Sequence, residues 1–197
     1  TANGTTHNLT HDNASGNVLF VGSTDPNGAT INSAKYNAVD MTALAVGSVW
    51  AQGFYLASPA SGSNTVEIVT ATNTRLVMVG IYFTDGNTTT PIGAKAGSSG
   101  ASGSPTVNIT TDTANSIIVD LIGYQQTPTV GAGQTQRHNA SNPNYGFGAS
   151  SAEPAATVGT YTMDWTGTSG DWSIDAVEIH AAAAVAGANN LMMLGVT

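Results

Sequence analysis

The sequence predicts an all-β protein, an antiparallel β-sandwich of about ten to twelve strands. In 160–166 the apolar residues Tyr161, Met163 and Trp165 alternate with polar ones. This period of two is typical of a strand with one buried face. Clusters of Gly, Asn and Pro that favour tight turns punctuate the chain at 25–28, 58–62, 85–87 and 142–144.

Three short runs, 18–21, 76–83 and 117–122, are apolar on both faces and rich in β-branched residues. Their length and composition favour central strands that are covered on both sides. In a two-layer sandwich the second face needs a cover from elsewhere, and we expect a neighbouring subunit to supply it.

The alternation and the turn clusters together define the predicted strands. These lie near 17–24, 30–38, 40–48, 49–57, 64–71, 75–84, 105–111, 116–124, 131–138, 158–166 and 172–180. The Gly/Ser-rich stretch 97–104 is expected to be a flexible loop within the domain. We predict one sandwich domain over 1–181, followed over 182–197 by an Ala-rich linker and an apolar C-terminal segment.

Charge and length restrict the classes of function. The chain has 197 residues, four Lys plus Arg against twelve Asp plus Glu, and a net charge of −8. We expect no nucleic-acid partner, because binding duplex phosphates requires a basic surface. Without a run of about 20 apolar residues we expect no membrane insertion, and without Cys there are no disulfides or thiolate sites.

Several motifs occur in a characteristic order. These are 16–22 (GNVLFVG), 31–41 (INSAKYNAVDM), 55–62 (YLASPASG), 90–93 (TPIG), 132–136 (AGQTQ), and 163–165 (MDW) followed by 171–179 (DWSIDAVEI). In this order they resemble a family of jelly-roll β-sandwich modules found in bacterial extracellular proteins and phage virion structural proteins, over about residues 6–181. The resemblance implies a jelly-roll-like sandwich without catalytic residues, used for adhesion, glycan contact or particle architecture.

Two kinds of catalytic site were considered. There is no G-x-S-x-G motif for a nucleophilic Ser. Paired carboxylates of the glycosidase type could come from Asp164, Asp171, Asp175 and Glu178. We favour the simpler interpretation, in which Asp171 shapes a turn while Trp165 and Trp172 fill the core. We therefore predict no catalytic residues and no enzymatic activity.

Metal-ligating residues are also few. His7 and His11 could share one side of a strand or one face of a helix, but their segment has no frame of acidic or Cys ligands. We expect His138 and His180 to form surface or interface hydrogen bonds. We predict no metal and no cofactor. Ca²⁺ would be the most credible ion, with its oxygen ligands drawn from Asp25, Asp85 and Asp112.

Exposed aromatic residues are candidates for glycan contact, although the sequence does not define a binding site. The candidates are Trp50, Tyr124, Tyr145 and Phe147. Glycosylation sequons, which mark surface positions where a glycosylation machinery is present, begin at Asn3, Asn8, Asn13, Asn87, Asn108 and Asn139.

These observations predict a structural protein of a virus or phage particle, such as a capsid decoration, a spike or a fibre subunit, located on the virion or outside the cell. We expect a homo-oligomer that also contacts other particle proteins, with a surface glycan as a further candidate partner. The predicted assembly contacts are the apolar residues of the C-terminal segment: Leu191, Met192, Met193, Leu194 and Val196. The alternative is a secreted carbohydrate-binding module or adhesin.

Overall fold

A computed structural model describes residues 4–25, 27–47, 50–142 and 146–183, together with the backbone of 194–196. Every regular element in this part of the chain is a β-strand. In chain order these are β1 Gly4–Asn13, β2 Val18–Thr24, β3 Ile31–Tyr36, β4 Val39–Asp40, β5 Thr42–Ala43, β6 Ala51–Ala57, β7 Gly62–Thr74, β8 Val77–Phe83, β9 Ile92–Gly100, β10 Thr106–Thr110, β11 Ser116–Tyr124, β12 Thr129–Val130, β13 Thr135–Asn142, β14 Gly146–Ala155, β15 Thr160–Thr166, β16 Trp172–Ile179 and β17 Leu194–Val196. The predicted all-β antiparallel sandwich is confirmed.

The strands form four antiparallel sheets, which we call A to D in the order in which they stack. Sheet A is β1-β7-β3-β4, sheet B is β17-β8-β2-β6-β5, sheet C is β13-β14-β11-β16-β9, and sheet D is β10-β15-β12. Sheets B and C face each other across one hydrophobic cluster that contains Phe20, Ile81 and Val119. Sheet A packs on the other side of B, and sheet D on the other side of C.

This stacking explains the runs that are apolar on both faces. In β2, Val18 and Phe20 point toward sheet C, whereas Leu19 and Val21 point toward sheet A. In β11, every residue from Ser116 to Tyr124 is buried. The two inner sheets are therefore covered on both faces, as β-strands buried on both sides require.

The expectation that a neighbouring subunit covers the second face is wrong. Sheet A supplies that cover for sheet B, and sheet D supplies it for sheet C, all within one chain. Among the described residues, the large hydrophobic side chains left exposed are Val39 and Val158. The chain thus buries its own apolar surface in four layers instead of two.

Most predicted strands coincide with observed ones, and the 116–124 strand matches β11. The described residues form 17 strands, more than the ten to twelve expected, and β1, β9 and β14 lie where no strand was predicted. Two predictions fail. In 40–48, β5 covers only Thr42–Ala43, because Ala45 and Gly47 adopt positive φ angles of 51° and 99° that end the extended backbone. The expected loop 97–104 also begins as strand, since β9 continues to Gly100 along the edge of sheet C.

One buried carboxylate lies between sheets C and D. Asp120 of β11 accepts hydrogen bonds from Trp165 Nε1 at 2.7 Å and from the Ser151 backbone N–H at 2.6 Å. Burial is the largest influence on this group and raises the pKa of Asp120 to about 6.

The apolar C-terminal segment is described only in part. Leu194 and Val196 belong to β17, which pairs with Phe83 and Ile81 at the edge of sheet B. The other predicted assembly contacts, residues 191–193, lie outside the described residues. Across the described ranges, no helix has the length and hydrophobicity to cross a membrane.

Candidate functional site

A groove opens at one end of sheet C, where β16 begins and β9 ends. We call it the tryptophan groove, and it has a volume of about 310 Å³. Its lining residues are Trp50, Ser99, Gly100, Ala101, Asp171, Trp172 and Ser173. Two indole rings, one carboxylate and several small residues therefore meet in one place, although they come from three separate stretches of the chain.

Trp172 forms part of the wall and is held firmly. Its side chain belongs to the core cluster between sheets C and D, and its Nε1 donates a 3.0 Å hydrogen bond to the Ser102 carbonyl. Gly100 is paired with Trp172 across the two strands. A Cβ at Gly100 would lie 2.9 Å from two indole carbons, so only glycine fits here without a shift.

Asp171 is positioned by Gln125, which follows β11. The Gln125 side chain donates from Nε2 to Asp171 Oδ2 at 3.2 Å and accepts from the Asp171 backbone N–H at 3.2 Å. A backbone bond from Gln125 N–H to the Asp171 carbonyl, 3.0 Å long, completes the attachment. The carboxylate is thus fixed at the groove and not on a freely moving turn.

Trp50 stands immediately before β6 and is half-buried. Its carbonyl accepts a 2.8 Å hydrogen bond from the Asp25 backbone N–H, and its Cβ lies against Gly123. This residue was a candidate for glycan contact, and the structure places it in the groove. Of the other candidates, Tyr124 is fully buried, Phe147 is half-buried on β14, and Tyr145 lies outside the described residues.

A second groove of about 220 Å³ lies beside the paired strands β5 and β6 and is lined by the buried Asp175 together with Gln52 and apolar residues including Val46 and Phe54. Each of the two grooves thus contains one carboxylate, Asp171 or Asp175. The acids considered for glycoside hydrolysis are not paired across either groove.

Glu178, Asp112 and His180 form a cluster at the far end of β16. His180 Nε2 lies 2.8 Å from Asp112 Oδ1 and 3.9 Å from Glu178 Oε2. The ring nitrogen Nδ1 of His180 is 2.9 Å from the Thr90 carbonyl, so Nδ1 carries the proton of that bond. A hydrogen bond from Thr113 is the main cause that lowers the pKa of Asp112, and His180 adds to it.

Glu178 is fully buried, and its carboxylate is already saturated. Oε2 accepts from the backbone N–H groups of Ala94 and Asp112, while Oε1 accepts from Thr113 N–H and Ser116 Oγ. A carboxylate offers about four acceptor positions. The three ligand-type side chains lie close together, but the glutamate serves to hold the 112–116 loop against β16.

Other predicted ligands are dispersed. Asp25 caps a turn, with Asn27 N–H bound to Oδ1 and with Ala29 N–H and Thr74 Oγ1 bound to Oδ2. Asp85 is not part of the Asp112 cluster. The expectation of no bound metal, with Ca²⁺ as the most credible ion, stays a prediction.

The remaining histidines take different roles. His7 and His11 are both buried on one side of β1. Four residues of strand separate them by about 13 Å, so they cannot share an ion. His180 forms the hydrogen bonds that we expected. The Nε2 of the half-buried His138 has no hydrogen-bond partner within the described part of the chain, and the expected interface role of this residue stays a prediction.

The sequons are not all at the surface. Asn8 and Asn108 are exposed, as predicted for Asn108, and Asn3 lies outside the described residues. Asn13 is fully buried, donating to the Ala60 carbonyl at 3.0 Å and accepting from Gly16 N–H at 2.9 Å. The expectation of a surface position is therefore wrong for Asn13.

Sequence reasoning missed that 99–101 belongs to the same site as Trp50 and Trp172. The stretch is predicted to be a flexible loop because its Gly and Ser residues have no apolar alternation. The small residues are needed because β9 passes directly against the Trp172 ring. The one feature of the sequence that could have indicated this site is the Gly/Ser composition of a stretch that lies between a strand-like segment and a turn.

No protein-family model, curated protein or solved structure matches this chain. The resemblance to the jelly-roll module family stays a prediction that rests on the motifs described above.

Proposed function

We propose that this chain is a non-enzymatic structural protein on the exterior of a virus or phage particle. The observation that carries the proposal is the four-layer body, which completes its own core and leaves few large apolar side chains exposed. A subunit that folds completely by itself suits attachment to an assembled shell. Of the three roles considered, capsid decoration therefore has more support than a spike or a fibre.

The character of the outer surface also supports this role. The outward residues of sheet D are largely threonine and asparagine, including Thr106, Asn108 and Thr110 on β10 and Thr160 and Thr162 on β15. Protein interfaces are depleted in Lys and Glu relative to the rest of a surface. A face of hydroxyl and amide groups can pack against another protein without desolvating charges.

Self-association through the C-terminal segment belongs to the same proposal. β17 forms an edge of sheet B, with one side of its backbone paired to β8. An edge strand is a natural template for pairing with another chain. We assign the contact between copies to this edge and to residues 191–196, with other particle proteins as further partners.

The roles of the acidic residues support a non-enzymatic function. Asp171 is held by Gln125, and Glu178 is saturated by four donors. Asp120 is enclosed in the core. Each of these three carboxylates has a structural partner that accounts for its position.

Immunogold electron microscopy tests the proposal. Antibodies raised against the purified chain are applied to density-separated particles, to cells and to soluble material from the source sample, with pre-immune serum as the control. We expect regular labelling of particles. Label confined to cell surfaces or to the soluble fraction would overturn the particle role and favour the secreted carbohydrate-binding module or adhesin.

A further inference from the structure

We propose that the tryptophan groove binds a short neutral saccharide, with a sugar ring stacked on Trp50 and sugar hydroxyl groups donating hydrogen bonds to Asp171. The inference goes beyond a structural role and is independent of it, because it concerns a site within one chain. Three properties of the groove carry it: the aromatic surface, the fixed acceptor and the charge of the lining.

The aromatic surface comes from two tryptophans with different roles. Trp172 is 8% exposed, and its Nε1 is already engaged with the Ser102 carbonyl, so it serves as a rigid floor. Trp50 is only half-buried and also lines the groove, so we assign the stacking surface to its indole. An indole offers a broad apolar face at a small entropic cost, which suits the C–H face of a sugar ring.

The groove leaves room beside these rings because its other walls are small residues. Ser99, Gly100, Ala101 and Ser173 surround the tryptophans. The volume of about 310 Å³ is at the lower end of the range for ligand pockets, about 300–1,000 Å³. The space therefore fits a short saccharide better than a long lipid or a folded protein segment.

Asp171 supplies the polar contact and is positioned before any ligand arrives. Its Oδ2 accepts one hydrogen bond from Gln125, whereas an ionised carboxylate has about four acceptor sites. The acceptors that are left can receive hydroxyl donors from a sugar. Because Gln125 already holds the side chain, binding costs little side-chain entropy.

The charge of the lining selects among sugars. The groove residues include one acid and no base, and the whole chain carries a net charge of −8. A uronic, sulfated or sialylated sugar would bring a second negative charge close to Asp171. Like charges at such a distance are unfavourable, so neutral sugars are preferred.

Tryptophan-fluorescence titration of the full chain tests the inference. The probes are neutral gluco-, manno-, galacto- and xylo-oligosaccharides, with oligogalacturonate and sialyllactose as anionic counterparts and tetramethylammonium as a cationic one. We expect at least one neutral oligosaccharide to bind, and anionic sugars to bind at least about tenfold more weakly. Saturable binding only by the cation, equal binding of anionic sugars, or no neutral binding up to about 10 mM would overturn the proposal.

Variants assign the binding to the groove. Trp50→Ala should weaken neutral-sugar binding by about tenfold or more, and Asp171→Asn should weaken it while reducing the discrimination against anionic sugars. Phe147→Ala and Asp164→Asn, half-exposed residues outside the groove, are the matched controls and should bind normally. Unchanged binding by Trp50→Ala contradicts the assignment, and Trp50→Phe provides the same comparison should the alanine variant fail to fold.

Discussion

Trp165 of sheet D donates its indole Nε1 hydrogen bond to Asp120 Oδ2 of sheet C, over 2.7 Å. This bond connects an outer layer of the sandwich to an inner layer through a carboxylate that has no exposed surface. Burial raises the folded-state pKa of Asp120. The stability of the protein should therefore depend on pH in the range where this group titrates.

We predict that Asp120→Asn changes the pH dependence of the free energy of unfolding. The pKa of Asp120 rises from 3.8 to about 6 on folding. The folded state therefore binds the proton more tightly, and this contribution to stability is present below pH 3.8 and is lost as the pH rises to about 6. The lost contribution is on the order of 3 kcal/mol.

Urea denaturation of the wild type and of Asp120→Asn between pH 3.5 and 7 measures this effect. The difference in unfolding free energy between the two proteins should change across about pH 4–6 and be constant above it. A difference that does not vary with pH would show that Asp120 titrates normally.

We predict an opposite pH effect from His11. Burial is the main cause that lowers the pKa of this imidazole, which contacts Tyr36 and Tyr82 at ring-centroid distances of 6.2 and 6.1 Å. The unfolded state binds the proton more readily, so stability is lost as the pH falls below about 6.5. His11→Phe should reduce that loss of stability, as measured by thermal melts from pH 7.5 to 5. If the melting temperature of the variant falls with pH as steeply as that of the wild type, the prediction is contradicted.

We predict that Glu178→Gln destabilises the protein by about 2–5 kcal/mol. The carboxylate accepts four hydrogen bonds, and the amide NH₂ of Gln would face donors instead of accepting from them. Hydrogen exchange should accelerate at the amides of 112–116. Glu67→Gln, on the half-exposed face of β7, is the control, and equal stability of the two variants would exclude the holding role of Glu178.

We predict that a chain ending at Ala183 stays folded but loses self-association. The four hydrophobic layers do not require β17, which contributes three residues at an edge. Native mass spectrometry at about 10 µM, a typical range for weak association, compares the full and shortened chains. An oligomer that persists without 184–197, or a full chain that is monomeric, would contradict the assembly contacts.

The individual strands could largely be predicted because their information is local. β11 contains an apolar run that is rich in β-branched residues, and β15 alternates between apolar and polar residues. Both strands can therefore be predicted from the sequence alone. β1 was missed because its buried positions, including His7 and His11, are polar residues that do not form an apolar alternation. The Gly80 backbone leaves the space for His11, since a Cβ there would lie 2.6 Å from Nδ1.

The candidate site could be predicted only in fragments. Trp50 was considered for glycan contact and Asp171 for a turn, yet no sequence pattern relates either residue to the other or to Ser99. Their meeting depends on the pairing of β9 with β16 and on the approach of Trp50 to Gly123. Such contacts join residues more than 50 positions apart, and a local pattern contains no information about them.

By itself, the sequence determined that this protein is built from antiparallel strands, that some of them are buried on both faces, and that its surface carries little positive charge. These properties follow from the composition and spacing of neighbouring residues, which set backbone preference and burial. The tertiary structure decided what covers the buried faces: sheets A and D of the same chain, and not a second subunit. The residues of a strand show that both of its faces must be buried. Which surface covers them depends on long-range strand pairing, which only the folded chain specifies.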